Sequence, residues 1–185
     1  MRYASIRSLD VTNGEGIGVS LFVQGCPFHC HNCFNPDTWD FNGGKEWNDD
    51  IEKQFLKLID KPHIKRISIL GGEPLADENA SDVLNLIKKI KSKYPKKNIW
   101  LYTGYTFERL CEMYCNEQIY NHLTNNTDKH IIFENLVYVD VLVDGQYIEE
   151  QRDITLAFRG SCNQRLINVK ETLEQNQIVL YDTTK

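Results

Sequence analysis

The chain has 185 residues, 21 Lys+Arg against 26 Asp+Glu, a net charge of −5 and 41% hydrophobic residues, which is enough apolar side chain for one packed domain and excludes the composition of a disordered chain. An acidic balance with a pI near 5.5 lacks the surplus of Lys and Arg that phosphate neutralisation needs, and no stretch approaches the roughly 20 apolar residues of a bilayer span, so neither nucleic acid nor membrane is an expected partner. The opening run Met1 to Arg7 has no apolar signal-peptide core, and the cytoplasm is the expected compartment.

In chain order, the first predicted strand is Val19 to Val23, which runs into Gln24-Gly25-Cys26. Ile51, Phe55, Leu58 and Ile59 then repeat at helical spacing behind a capping Asn48. Ile67 to Leu70 predicts a second strand that stops at Gly71-Gly72-Glu73-Pro74, followed by a helical stripe of Val83, Ile87 and Ile90 after Ser81. The lysine-rich run from Lys88 to Lys97 closes that helix, where cations complement the dipole and Pro95 stops the turn. Asn98 to Tyr102 is a third strand ending at Thr103-Gly104, and Thr106 is placed to cap a short helix. A weaker helix covers Thr127 to Asn135, Val137 to Val143 is a fourth strand ending at Asp144-Gly145, and the tail holds two β-like pieces, Arg165 to Val169 and Gln177 to Tyr181.

Strand and helix alternate, which predicts an α/β fold with a parallel sheet and right-handed crossovers. The chain is too short for a complete eight-unit barrel of about 250 residues, so the expected fold is an incomplete TIM-type β/α barrel, one domain over residues 1–185. The carboxyl ends of its strands would gather Cys26, Gly72, Thr103 and Asp144 around one cavity.

Cys26, Cys30 and Cys33 are spaced C-x3-C-x2-C, while Cys111, Cys115 and Cys162 are scattered. In a reducing compartment three clustered thiols point to metal rather than disulfides. A structural zinc site wants four ligands and would have to recruit His29, His31 or a distant residue. A [4Fe-4S] cluster on three thiolates keeps its fourth iron open to a ligand.

The triplet resembles the signature of the radical S-adenosylmethionine (SAM) enzymes, and Gly71-Gly72-Glu73-Pro74 resembles that family's GGEP motif, in which backbone carbonyls meet the SAM ammonium. Further segments extend the resemblance to the family of anaerobic ribonucleoside-triphosphate reductase activating proteins. They are Asn13-Gly14-Glu15-Gly16, Leu21 to Cys26, Cys33-Phe34-Asn35-Pro36 with Thr38-Trp39, Trp100 to Tyr105, Val141 to Tyr147, and above all Phe158-Arg159-Gly160-Ser161-Cys162-Asn163-Gln164-Arg165. The resemblance implies reductive cleavage of SAM at a [4Fe-4S] cluster and a 5′-deoxyadenosyl radical that abstracts hydrogen from a glycine of the large reductase subunit, leaving a glycyl radical. It also implies a flavodoxin- or ferredoxin-like electron donor.

On this reading Cys26, Cys30 and Cys33 are the cluster ligands. Gly71, Gly72 and Glu73 contact SAM, and Thr103 and Asp144, at strand ends, offer polar contacts to ribose, carboxylate or the incoming glycine loop. Asn32 stands where many radical SAM enzymes carry an aromatic residue, so adenine contact is expected from the backbone around Asn32, Cys33 and Phe34. Arg159, Asn163 and Gln164 close the pocket or face the reductase, or they tie the tail to the barrel. His29 and His31 read as hydrogen-bonding histidines and Trp39, Trp47 and Trp100 as core or partner-facing aromatics. Cys111 and Cys115, four apart on a helix, read as bystander thiols, and Cys162 has no ligand role. Two other readings stay open: a radical SAM enzyme of another class, acting on a different glycyl-radical partner or a small molecule, and a non-enzymatic zinc or iron–sulfur binding module.

Overall fold

The computed structural model describes residues 1–114 and 131–183. Among the described residues seven strands form one sheet: β1 (Arg2–Asp10), β2 (Gly18–Val23), β3 (Lys45–Glu46), β4 (Arg66–Gly71), β5 (Asn98–Tyr102), β6 (Val141–Asp144) and β7 (Arg165–Asn168), in the order β3-β1-β2-β4-β5-β6-β7. The middle strands β2, β4, β5 and β6 are parallel, as the alternation of strands and helices predicts. The flanks are antiparallel: β1 pairs with β2 and β3, and β7 with β6. The wholly parallel sheet expected from sequence is therefore corrected to a mixed one. β1 carries Arg2, Ser5, Arg7 and Ser8 and buries only Tyr3 and Asp10, so it has no apolar periodicity to read.

Helices α1 (Asp49–Ile59), α2 (Asp77–Lys93), α3 (107–114), α4 (Ile131–Val137) and α5 (Val169–Gln175) accompany the strands. Asn48 caps α1, accepting the Asp50 and Ile51 N–H groups, and Thr106 Oγ1 accepts the Arg109 N–H at 3.2 Å at the start of α3. α2 begins at Asp77, before Ser81, with Asp77 and Glu78 in the positively polarised first turn. Two further boundaries shift. Val137 ends α4, and the predicted fourth strand is shortened to Val141–Asp144, because the Asp140 carboxylate takes the Ile99 N–H at 2.6 Å and turns the chain into the sheet. The last predicted strand pieces also change: α5 starts at Val169 behind Asn168, and of residues 177–181 only Leu180 bridges to Ile167. Of the predicted Thr127–Asn135 helix, residues 127–130 lie outside the described residues, as does Cys115.

The pleat divides the sheet chemically. Val19, Leu21, Val23, Ile67, Ile69, Ile99, Leu101 and Leu142 join Phe55, Ile59, Val83, Ile87, Ile90, Leu110 and Leu136 from the helices in the main core. The opposite face carries the paired residues Ser20, Ser68, Trp100 and Val141, and one step toward the strand ends Phe22, Leu70 and Tyr102. Trp100 packs there with Val141, Val143 and Leu166 beneath Phe158 and Tyr181. At the far end of this face lies a buried ion pair. Arg66 donates to the Asp10 carboxylate at 3.1 Å and to the carbonyls of Asp10, Asn13 and Glu15. Gly14 makes this possible: with φ +128°, any Cβ there would lie 2.5 Å from Arg66 Cδ and 2.7 Å from the Trp100 ring.

Candidate cluster site and its cleft

Beyond β2 the chain makes a long excursion that returns to its own start. The Gln24 amide, buried, donates to the Asp37 and Asp40 carbonyls at 3.0 and 2.8 Å, while the Gly25 and Cys26 N–H groups donate to the Thr38 and Trp39 carbonyls at 2.8 and 3.0 Å. The loop so closed carries Cys26, Cys30 and Cys33, all free thiols and all half-buried. His29 (φ 47°) and Asn32 (φ 55°), each immediately before a cysteine, adopt the left-handed conformation, which is costly for residues with a Cβ and clusters at functional sites.

Backbone N–H groups are directed at the sulfurs. Asn35 N–H donates to Cys33 Sγ at 3.4 Å. Burial pushes the Cys26 thiol up to about 11, against the pull of the Phe28 and His29 N–H groups. Cys30 is also raised, by burial first and then by the neighbouring Cys33, with the Tyr147 N–H opposing. Three free thiols surrounded by N–H donors are a donor set that suits an anionic, sulfur-rich cluster, whose iron displaces the thiol protons. Among the described residues no three His, Cys, Asp or Glu side chains meet at a single-ion site; a cubane binds its thiolates on separate irons, so they have to face one cluster and not one ion.

The Gly71-Gly72-Glu73 loop is packed onto the root of this loop. Gly72 N–H donates to the Val23 carbonyl at 2.9 Å and Glu73 N–H to the Gly25 carbonyl at 2.7 Å. A Cβ on Gly72 would sit 2.3 Å from the Gly25 carbonyl oxygen, so only glycine admits the approach. Glu73 is 1% exposed. Its carboxylate accepts the Leu75 N–H at 2.8 Å, the Thr103 hydroxyl at 2.9 Å and the Gly104 N–H at 2.7 Å. Burial raises it to about 7 although all three hydrogen bonds pull it down. Thr103 and Glu73 are thus brought together, and they link the ends of β4 and β5.

Asp144 is used differently from the open polar contact expected of it. Its carboxylate accepts the Phe107 N–H at 2.8 Å and two donors of Arg165, which in turn pairs with Glu108. These bonds seat the start of α3 on the β6–β7 pair.

Beside the cysteine loop opens a cleft of about 510 Å³, within the range of small-molecule sites. Phe22, Leu70 and Tyr102 line it along with Cys33 and Phe34, and Phe158, Arg159 and Gln164 line it from the tail segment. Cys26, Cys30, Gly71, Gly72, Glu73, Thr103 and Asp144 stand outside its lining. The tail segment is firmly held. Phe158, itself left-handed at φ 59°, packs on Trp100 and accepts the Tyr102 hydroxyl at 3.0 Å. The Gln164 side chain accepts the Gly160 N–H and donates to the Gly145 carbonyl, and the Asn163 amide donates to the Gln146 carbonyl at 2.8 Å. Arg159 Nε, by contrast, is buried with no hydrogen-bond partner among the described residues.

The remaining sequence candidates divide clearly. His29 stacks on Trp39 at 4.7 Å, and His31 and Cys162 are exposed. Trp47 packs between Tyr3 and Phe55, and Cys111 lies against the main core. Sequence reasoning passed over Gln24, whose position at the end of an otherwise apolar strand was the available signal, and the Asp10–Arg66 pair, whose partners lie 56 residues apart.

The chain matches the family described as 4Fe-4S single cluster domain over residues 12–167. It is 37% identical to the anaerobic ribonucleoside-triphosphate reductase-activating protein of Vibrio cholerae over 89% of this chain and 96% of the relative. The proteins of the same name from Enterobacteria phage T4 and Escherichia coli K12 are 34% and 33% identical, over 90% and 89% of this chain and 93% and 96% of theirs. With this extent of likeness, and with its cysteine loop beside an open cleft, the chain belongs to the family of anaerobic ribonucleoside-triphosphate reductase-activating proteins that carry a 4Fe-4S domain.

Proposed function

We propose that the chain is a radical SAM activase whose single domain, residues 1–185, is an incomplete β/α barrel and whose protein substrate is an anaerobic ribonucleoside-triphosphate reductase. The observation that carries this reading is the loop of three free, half-buried thiols, wrapped by backbone N–H groups and opening beside the 510 Å³ cleft. Cys26, Cys30 and Cys33 hold the cluster. When bound, the cluster and SAM, supplied with an electron by a flavodoxin- or ferredoxin-like donor, yield methionine and a 5′-deoxyadenosyl radical, which takes hydrogen from a glycine of the partner and leaves a glycyl radical.

The chain's own residues position and enclose. Gly72 lets the β4 loop press against Gly25, so that the backbone of Gly71, Gly72 and Glu73 borders the cluster site. Glu73, through Thr103 and Gly104, fixes the β5 end to that loop, and Asp144 with Arg165 fixes the start of α3. Cys33 and Phe34 border the cleft where adenine is expected, Asn32 stands just outside its lining, and Arg159 faces it from the tail segment.

The test is 5′-deoxyadenosine formation from SAM by anaerobically reconstituted protein with a strong reductant, beside Cys30→Ala, followed by electron paramagnetic resonance after addition of the reductase. Product from wild type alone and a glycyl doublet on the reductase are expected. Stoichiometric zinc in anaerobically purified protein, with no iron–sulfur absorbance and no SAM cleavage, would overturn the reading.

A further inference from the structure

Trp39 closes the cysteine loop, and its indole Nε1 is buried without an acceptor among the described residues. Buried indole N–H groups normally find a partner, and leaving such a donor unpaired is destabilising. The residue is tied to the cysteine loop at two points: its carbonyl accepts the Cys26 N–H at 3.0 Å, and its ring stacks on His29, next to Cys30, at 4.7 Å and 20° between planes. The other two tryptophans are engaged elsewhere, Trp47 with Tyr3 and Phe55 and Trp100 with Phe158 and Tyr181. At the thiols the Asn35 N–H already donates to Cys33 Sγ at 3.4 Å, and the Phe28, His29 and Tyr147 N–H groups favour the thiolates of Cys26 and Cys30. A side-chain donor held against the same loop, with no acceptor among the described residues, has the chemistry of one more.

We propose that Trp39 Nε1–H donates a hydrogen bond to a sulfur of the cluster held by Cys26, Cys30 and Cys33, which makes Trp39 a positioning residue that tunes the cluster. The proposal rests on the cluster reading above. A donor to sulfur stabilises the more negative, reduced state and so raises the reduction potential. The His29 stack holds the indole plane, and the Trp39 carbonyl fixes its backbone to the first ligand.

The experiment uses wild-type protein labelled with ¹⁵N at the tryptophan indoles, loaded anaerobically with cluster, checked for iron and sulfide, and reduced. Pulsed electron paramagnetic resonance should show one ¹⁵N coupling to the cluster spin, retained in Trp47→Phe and lost in Trp39→Phe. Trp39→Phe, which preserves an aromatic ring against His29, should also shift the midpoint potential to a more negative value at unchanged iron and sulfide content. A loaded wild-type protein with no tryptophan nitrogen coupling overturns the proposal, and this holds even where the variant fails to fold. A loaded Trp39→Phe protein with an unshifted potential also overturns it. A wild-type protein that takes up no iron and sulfide overturns the cluster reading as well, so the two failures are distinguishable.

Discussion

Asp10 and Arg66 each have about 1% of the side chain exposed, and removing one partner of such a pair leaves the other charge buried. Asp10→Ala is expected to lower stability by roughly 3–5 kcal/mol in urea unfolding. The pair also sets an acid limit. Burial works against the Asp10 charge, but hydrogen bonds from Asn13 and Thr12 and from the Arg66 side chain outweigh it and hold the carboxyl near 2, below its ordinary 3.8. The unfolded chain therefore binds more protons between these values, so this contribution is complete above about pH 4 and is lost as pH falls through 2. Asp10→Asn should flatten the unfolding midpoint across that window.

Glu73 has the opposite sign. Its folded carboxyl lies at about 7 against an ordinary 4.5, so its contribution is complete below about pH 4.5 and is lost as pH rises through 7. The stability difference between wild type and Glu73→Gln should change most within that interval. The Gln variant has a second defect, because Leu75, Thr103 and Gly104 all donate to the carboxylate and an amide turns an NH₂ toward one of them. Weaker SAM binding by equilibrium dialysis is expected of loaded protein.

Between elements, the β4 loop lies backbone to backbone on the cysteine loop. Gly72→Ala places a Cβ on backbone, where no side chain can rotate away, so the two loops must separate. Iron and sulfide content after reconstitution should fall sharply, while circular dichroism keeps the helical signal, because Phe55 and Ile59 of α1 and Val83, Ile87 and Ile90 of α2 are held in the main core. At α1 the effect is smaller: Asn48→Ala removes an acceptor shared by two N–H groups and should cost about 1 kcal/mol in thermal unfolding without altering cluster content.

In the molecule as a whole, what was legible followed local pattern. Apolar runs marked β2, β4 and β5, periodicity marked α1 and the body of α2, and the C-x3-C-x2-C spacing with Gly71-Gly72-Glu73 marked two loops that do pack together. What was not legible depends on distant partners. β1, which pairs with β2 and briefly with β3, carries polar side chains that give no period, α5 is set by its Asn168 cap within a strand-like run, and the Asp144 carboxylate is claimed by Arg165. Cys111 illustrates the same limit, since only the fold places it against the core. Cys111→Ala should leave cluster content and SAM cleavage intact, whereas Cys33→Ala should abolish both, as read by iron analysis and chromatography of 5′-deoxyadenosine.

The order of strands has a final consequence, for how copies of the chain meet. A sheet of seven strands has two open ends where backbone groups invite strand addition by another molecule. Here one end is β3, only Lys45–Glu46 and charged on both residues. The other, β7, is overlaid by residues 177–181, whose backbone pairs with Leu166 and Asn168. The β7 end is thereby covered, whereas β3 pairs with only Arg2 and Tyr3 of the nine-residue β1, so along the rest of that edge the exposed Ser5, Arg7 and Ser8 are what discourage strand addition.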